Sequence, residues 1–286
     1  MTESTCRIER PVHRSTSVVF SSPHSGRCYP SDFIEQSLLN EQEIRSSEDA
    51  FIDTLFARAP AQGAPLITAR MPRAFVDLNR APDELDPALI GGVRKSGHNP
   101  RIASGLGVVP RVVANGRAIY RGKISLDEAK ARVDQVWHPY HDGLQTLIDE
   151  SRSLFGHAIL IDCHSMPHEA IDCVSQPGFP RPDVVLGDRF GASAGQNIID
   201  RIEAVFTNAG LRVVRNMPFA GAYIVQQYGR PSRAQHAVQI EIDRALYMDE
   251  ARIVPNENFA GFQKLIDEVI VDICDIGRIE HKMAAE

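Results

Sequence analysis

Three short runs rich in β-branched and apolar residues set what this chain can fold into: Ser17–Ser21 (SVVFS), His157–Asp162 (HAILID) and His236–Ile242 (HAVQIEI). Each is too short for a helix and reads as a buried or half-buried strand. Leu66–Thr68, Arg73–Leu78, Asp183–Leu186 and Leu211–Val214 read as shorter strands. The stretches between them carry helical spacing. Glu41–Arg58 has Ile44, Phe51, Ile52, Leu55 and Phe56 on one face, with Pro60 as a stop. Ser125-Leu-Asp-Glu128 is a capping box that opens a long helix marked by Val133, Val136, Trp137, Tyr140, Leu144, Leu147 and Ile148. Ala192–Asn208 and Phe259–Ile276 read as further helices, and Arg101–Gly122 as a long ordered loop. Strands alternating with helices predict an α/β fold with a mixed, largely parallel sheet. With no linker or repeat, the 286 residues are expected to form a single domain, 1–286, with loose termini at 1–14 and 278–286.

The balance of charge narrows the partners. A formal net charge of −6 does not suit a protein that holds nucleic acid through basic surface. No apolar run is long enough for a membrane span, and Met1–Arg14 lacks the apolar core of a secretory signal. Cys6, Cys28, Cys163, Cys173 and Cys274 are odd in number and widely spaced, which is no disulfide framework. The chain therefore reads as a cytoplasmic enzyme or binding protein with a small-molecule partner, and self-association into a homo-oligomer stays open.

In sheets of this kind, ligands gather beyond the carboxyl ends of the strands. His24 follows the first apolar run in Ser-Pro-His24-Ser-Gly26, where Pro23 and Gly26 constrain the turn and are expected to let the backbone come close to a ligand. His164 follows the second in Asp162-Cys-His164-Ser. Alone, either is an ordinary loop histidine; together they form a pair suited to Zn²⁺, which needs a third protein ligand. Glu48 or Asp49 could supply it, or could equally stabilise a helix start. Asp162 returns to the face of His164 and could orient it or be a structural acid. Glu241 shares a strand face with Gln239 and Asp243, and reads either as a general base or as a solvent-facing acid. Asn79-Arg80 could grip a carboxylate, or Arg80 could pair with Asp77 or Asp83. His138 and His141 read as partly exposed helix residues. No G-x-S-x-G elbow or phosphate-binding glycine loop is present.

The ordered set Ser-Pro-His24-Ser-Gly, Ser-Ser-Glu48-Asp49-Ala-Phe-Ile-Asp, Val-Asp-Leu-Asn79-Arg80, Ile-Asp162-Cys-His164-Ser and Gln-Ile-Glu241-Ile-Asp-Arg244 resembles the N-formylglutamate amidohydrolase family, a relative of the zinc carboxypeptidases and aspartoacylases. That resemblance implies an α/β/α sandwich around a mixed sheet and one Zn²⁺ per chain held by His24, His164 and an acid of the Glu48-Asp49 pair, Asp49 matching better. In the carboxypeptidases a close His-x-x-Glu pair supplies that acid, whereas here Arg27 stands at the spacing. The resemblance further implies Glu241 as general base and Asn79-Arg80 on the substrate's α-carboxylate. Arg121 or Arg73 would face the oxyanion, and Arg244 or Arg230 would take a side-chain acid. The implied reaction releases formate from N-formyl-L-glutamate, in the cytoplasm and in histidine degradation. The rivals are a deacylase for another N-acyl amino acid, a metallocarboxypeptidase, and a non-catalytic metabolite- or protein-binding protein.

Overall fold

The apolar runs alternate their side chains between two faces, and each face is covered by helices. The computed structural model describes residues 4–94, 99–172 and 181–278. Seven strands form one sheet: β1 (Cys6–Glu9), β2 (Val18–Ser22), β3 (Leu66–Ala69), β4 (Ala158–Met166), β5 (Val184–Gly187), β6 (Val213–Arg215) and β7 (Gln235–Asp243). Their spatial order is β1-β3-β2-β4-β7-β5-β6, and pairing is parallel except where β1 meets β3 and β5 meets β7. A separate pair, β8 (Met248–Asp249) and β9 (Val254–Pro255), lies outside it. The helices in chain order are α1 (Ser31–Gln36), α2 (Ile52–Leu55), α3 (Pro100–Ala103), α4 (Leu126–Arg132), α5 (His138–Phe155), α6 (Gln196–Asn208), α7 (Tyr223–Tyr228) and α8 (Phe259–Ile276). No helix among the described residues is long and apolar enough to cross a membrane.

Val18 and Phe20, Ile159 and Ile161, and Val238 and Ile240 point to one face, where they pack with α6 and α8. Val19, Leu160 and Ala237 point to the other, against α5 and α7 through Tyr140, Leu144, Leu147, Ile148, Val225 and Tyr228. The result is the expected α/β/α sandwich. At about 1.5–3 kcal/mol for each fully buried large apolar side chain, these two interfaces dominate the favourable side of folding.

Four local expectations are corrected. Residues 6–9 are not loose, because β1 pairs antiparallel with β3 at the sheet edge, and Arg10 and Arg14 beyond it pair with Glu150; residues 1–3 and 279–286 lie outside the described set. The stretch 41–58 is not one helix. A 3-10 turn at Ile44–Ser47 stops at Glu48, Phe51 takes a left-handed φ of 68°, and only Ile52–Leu55 is α-helical. Its backbone leaves the helical path because the Asp49 N–H donates to the His24 carbonyl at 3.0 Å. Residues 73–78 form a turn rather than a strand, with the Phe75 and Val76 N–H groups donating to the Pro72 carbonyl. Gly26 serves close packing: a Cβ there would collide with the Met71 carbonyl, not with a ligand.

The long helix carries one further irregularity. Pro139 has no N–H to return to the Gln135 carbonyl, and a π-helical turn, Val133–Trp137, separates α4 from α5. The Thr5 hydroxyl donates to that Gln135 carbonyl instead, at 3.0 Å. Around this turn, Trp137 Nε1 donates to the Arg80 carbonyl at 2.9 Å, and His141 Nε2 lies 2.9 Å from the Leu78 carbonyl. The helix thereby holds the segment 78–80 from behind.

His141 is buried rather than partly exposed, stacked on Trp137. Burial lowers its pKa to about 4, against an ordinary 6.5. Its neutral form therefore stabilises the fold above pH 6.5, and that contribution is lost as pH falls toward 4. Urea titrations of wild type and His141→Gln should show the stability gap between them shrinking by about 2 kcal/mol from pH 7 to pH 5. An unchanged gap would show that His141 does not titrate in the fold.

Candidate metal centre and active site

The strand face that is apolar at its start becomes polar toward the carboxyl ends. On β4, Leu160 is followed on the same face by Asp162 and His164; on β7, Ala237 is followed by Gln239 and Glu241. Parallel register sets Asp162 beside Gln239 and His164 beside Glu241. His24 lies just beyond β2, and Asp49 enters from the interrupted helix. The turn 72–80 adds Arg73, Asp77, Asn79 and Arg80. These groups line a cavity of about 600 Å³ at the carboxyl edge of the sheet, within the usual range for small-molecule sites.

His24, Asp49 and His164 each offer one ligand atom, all within 4.8 Å of one another. Each imidazole is held from behind by a buried carboxylate. His24 Nε2 is 2.8 Å from Asp77 Oδ1, and His164 Nε2 is 2.9 Å from Asp162 Oδ2. Ser21 donates to the other Asp162 oxygen at 3.0 Å. With Nε2–H donated outward in this way, each ring turns Nδ1 inward toward Asp49 Oδ2, at 2.9 Å from His164 and 3.4 Å from His24. His24 Nδ1 is buried and has no hydrogen-bond partner. A buried nitrogen of this kind is costly unless something accepts its lone pair. Two imidazole nitrogens and a carboxylate oxygen converging on one point are the donor set of a divalent transition metal.

The charges around this point respond to burial and to one another. Burial opposes ionisation of Asp49, but His164 and His24 hold its pKa well below the carboxylate range. Burial likewise disfavours charge on His164, and Asp162 outweighs it, raising the pKa well above the usual value. Arg244 donates to Asp49 Oδ1 at 3.1 Å and to Ser165 Oγ at 3.0 Å, fixing the carboxylate from its far side. Asp77 does double duty: one oxygen faces His24, and the other accepts from Arg73 Nε at 3.1 Å.

Glu241 is buried, and burial raises its pKa to about 7 against the nearby positive groups. Gln239 donates to it at 2.7 Å while its own carbonyl oxygen accepts from the Ala222 N–H at 3.0 Å. Asn79 is fixed at both ends, its Oδ1 accepting from the Ile224 N–H at 2.7 Å and its Nδ2 donating to Gln239 at 3.4 Å. Arg80 gives Nε to the Leu106 carbonyl and Nη1 to the Asn79 carbonyl.

His24, Asp49, His164, Glu241, Asn79, Arg80, Arg244 and Arg73 are thus brought together. Glu48 is not. Its carboxylate accepts from Tyr29 at 2.7 Å and from Arg45 at 3.1 Å, and it does not line the cavity. Arg121 is exposed and also absent from the lining, as is Arg230, whose Nη1 caps the Gln226 and Gly229 carbonyls. Sequence reasoning passed over Asp77 except as a surface partner of Arg80. The signal available was its position between apolar Val76 and Leu78, unusual for a solvated acid. Gln239 was visible only as a neighbour on the face of Glu241.

The raised Glu241 pKa gives a direct measurement. With ¹³C-labelled glutamate carboxyls in metal-free protein, one resonance should titrate near pH 7 and vanish in Glu241→Gln; titration of every glutamate near pH 4 would contradict this environment.

Comparison with known proteins gives the family. The profile of the N-formylglutamate amidohydrolase family matches residues 16–248. N-formylglutamate deformylases of Pseudomonas putida and Pseudomonas aeruginosa are each 31% identical over 240 and 242 residues respectively, covering 82% of both chains in each case. The crystal structure of an N-formylglutamate amidohydrolase from Ralstonia eutropha superposes with a TM-score of 0.89 at 31% identity, spanning 96% of this chain and 98% of that one. A gene product of Agrobacterium tumefaciens shares the fold at a TM-score of 0.64 and 17% identity, over 96% of each chain.

Proposed function

The chain belongs to the N-formylglutamate amidohydrolase family, whose members cleave an amide bond, and from that premise we propose that it hydrolyses N-formyl-L-glutamate to formate and L-glutamate with one zinc ion held by His24, Asp49 and His164. The observation that carries the metal is the unpartnered, buried Nδ1 of His24, aimed at the same point as His164 Nδ1 and Asp49 Oδ2. We read residues 1–286 as one domain of this family, acting in the cytoplasm in histidine degradation.

Zinc, when bound, would supply Lewis acidity that lowers the pKa of water and polarises the scissile carbonyl. Glu241 takes the proton of the attacking water and returns it to the leaving amine nitrogen as the C–N bond breaks. Its raised pKa suits both halves of that task. Gln239 occupies one Glu241 oxygen, which leaves the other to face the substrate. Arg73, fixed by Asp77 and lining the cavity, is the donor for the developing oxyanion, a role that Arg121 cannot fill from the surface. Arg80 takes the α-carboxylate with the nitrogen that its two backbone contacts leave over. Asn79 acts as the strut between Gln239 and Ile224. Arg244 is occupied with Asp49, so it positions the metal ligand rather than binding a substrate acid.

The experiment is zinc content and formate release on one sample purified without chelator. Stoichiometric zinc with chelator-sensitive formate release is expected; a metal-free protein that stays inactive after zinc is added would sink the reading. Glu241→Gln should keep its zinc and lose roughly 10²–10⁴-fold in kcat, the usual contribution of a general base, whereas His164→Ala should lose zinc and activity together. A fully active Glu241→Gln would rule out the base.

The carboxylates behind the histidines are testable through affinity alone. Asp77→Asn and Asp162→Asn should each weaken zinc roughly 10–100-fold in a competition titration with a chromophoric chelator. Wild-type affinity in both would mean that the rings are oriented by something else.

A further inference from the structure

Resting on the amidohydrolase reading, the cavity leaves one question of specificity open, namely which group meets the second carboxylate of an acidic substrate. Four arginines line the cavity, Arg73, Arg80, Arg101 and Arg244. Arg73 is paired with Asp77 and Arg244 with Asp49. Arg80 meets only backbone carbonyls, and among the described residues no carboxylate pairs with Arg101. Arg101 stands on α3, whose start is capped by Asn99 through the Arg101 and Ile102 N–H groups. The same loop reaches Arg80 directly, since the Leu106 carbonyl accepts from Arg80 Nε at 3.0 Å and the Leu106 N–H donates to the Arg101 carbonyl at 2.8 Å. Burial, and then the like charges of Arg73 and Arg101, pull the Arg80 pKa down against the attraction of Asp77 and Glu84. Two guanidiniums without carboxylate partners therefore face one cavity within reach of each other's field.

We propose that Arg101 binds the distal carboxylate of the substrate and is the residue that makes this site specific for an acidic amino acid. The order of the two arginines follows from the chemistry of the ligand. The α-carboxylate lies close to the scissile amide, so it falls to buried Arg80, whose neighbour Asn79 reaches within 3.2 Å of His164. The distal carboxylate lies further along the side chain and falls to Arg101, which is exposed on the cavity wall. Each arginine then meets one anion, and a neutral side chain would leave Arg101 without a partner.

The test compares N-formyl-L-glutamate with N-formyl-L-glutamine, which has nearly the same shape and no distal charge. Arg101→Gln should lower kcat/KM for the glutamate substrate roughly 10–100-fold, mainly through KM, the range expected for one charged hydrogen bond. For the glutamine substrate the change should stay below about threefold, and Arg101→Lys should restore part of the loss on glutamate only. Equal loss on both substrates, or none on glutamate, would overturn the assignment. If wild type released formate from neither substrate, the amidohydrolase reading would fall while the inference stayed decidable. In that case calorimetry with glutarate and butyrate on zinc-treated protein should show Arg101→Gln weakening glutarate alone, and unchanged glutarate affinity would refute it.

Discussion

An imidazole can bring a lone pair into a cavity only when its other nitrogen is committed elsewhere, and the rest of this site is built around that requirement. Asp77 and Asp162 meet it by accepting from the outer nitrogens of His24 and His164. Both carboxylates are almost wholly buried. Stripping a carboxylate of water costs several kcal/mol, and removing the partner of a buried charge costs about 3–5 kcal/mol. Their surroundings are correspondingly complete. Asp77 also accepts from Arg73 and from the Asn79 N–H, and Asp162 from Ser21. Through these bonds the turn 72–80 and the ends of β2 and β4 become one cross-linked unit.

That unit is stable because the sheet changes character along its strands. Early residues of β4 and β7 bury Leu160 and Ala237 under α5 and α7, and the same face later carries Asp162, His164, Gln239 and Glu241. Parallel pairing keeps the change in register on adjacent strands. The helix layer supports it with polar contacts of its own, since Trp137 and His141 hold the carbonyls of Arg80 and Leu78. A polar site at the end of an apolar face is dry enough to raise the pKa of Glu241, while Gln239 still supplies that carboxylate with a hydrogen bond.

Much of this was legible in the sequence. The strands Ser17–Ser21 and His236–Ile242 are legible as short apolar runs because helices cover both of their faces, and the helix Phe259–Ile276 is legible from its periodicity because it buries one dominant face. Two histidines placed just past apolar runs gave the candidate metal pair, which the fold brings to one point. Which acid joins the histidines stayed ambiguous because Glu48 and Asp49 are adjacent and chemically alike; a tertiary contact, Asp49 N–H to the His24 carbonyl, together with Arg45 and Tyr29 on Glu48, sets their different positions. The arginines were the hardest to place. Arg121, Arg230 and Arg244 look equivalent in sequence, yet one stands on the surface without lining the cavity, one caps the end of the preceding helix α7, and one is spent on Asp49. A long flexible cation reports its destination only through the carboxylate it meets, and those carboxylates are far away in the chain.

The distribution of those cations reconciles a negative net charge with a cavity that attracts anions. A chain at −6 repels anions at long range, but screening confines that field to about 10 Å at ordinary ionic strength. Inside the cavity the balance is reversed, with four arginines against Asp49, Asp77 and Glu241. The acids are matched within the site: Asp49 by Arg244 and the histidines, Asp77 by Arg73 and His24. Glu241, raised toward neutrality, repels an incoming anion less than an ordinary glutamate would. What remains for a ligand to feel is the charge of the unmatched guanidiniums, focused by low-dielectric walls. A neutral ligand gains little from such a field, whereas a dicarboxylate gains at both ends, and the size of that difference is set by which arginines the fold leaves without partners.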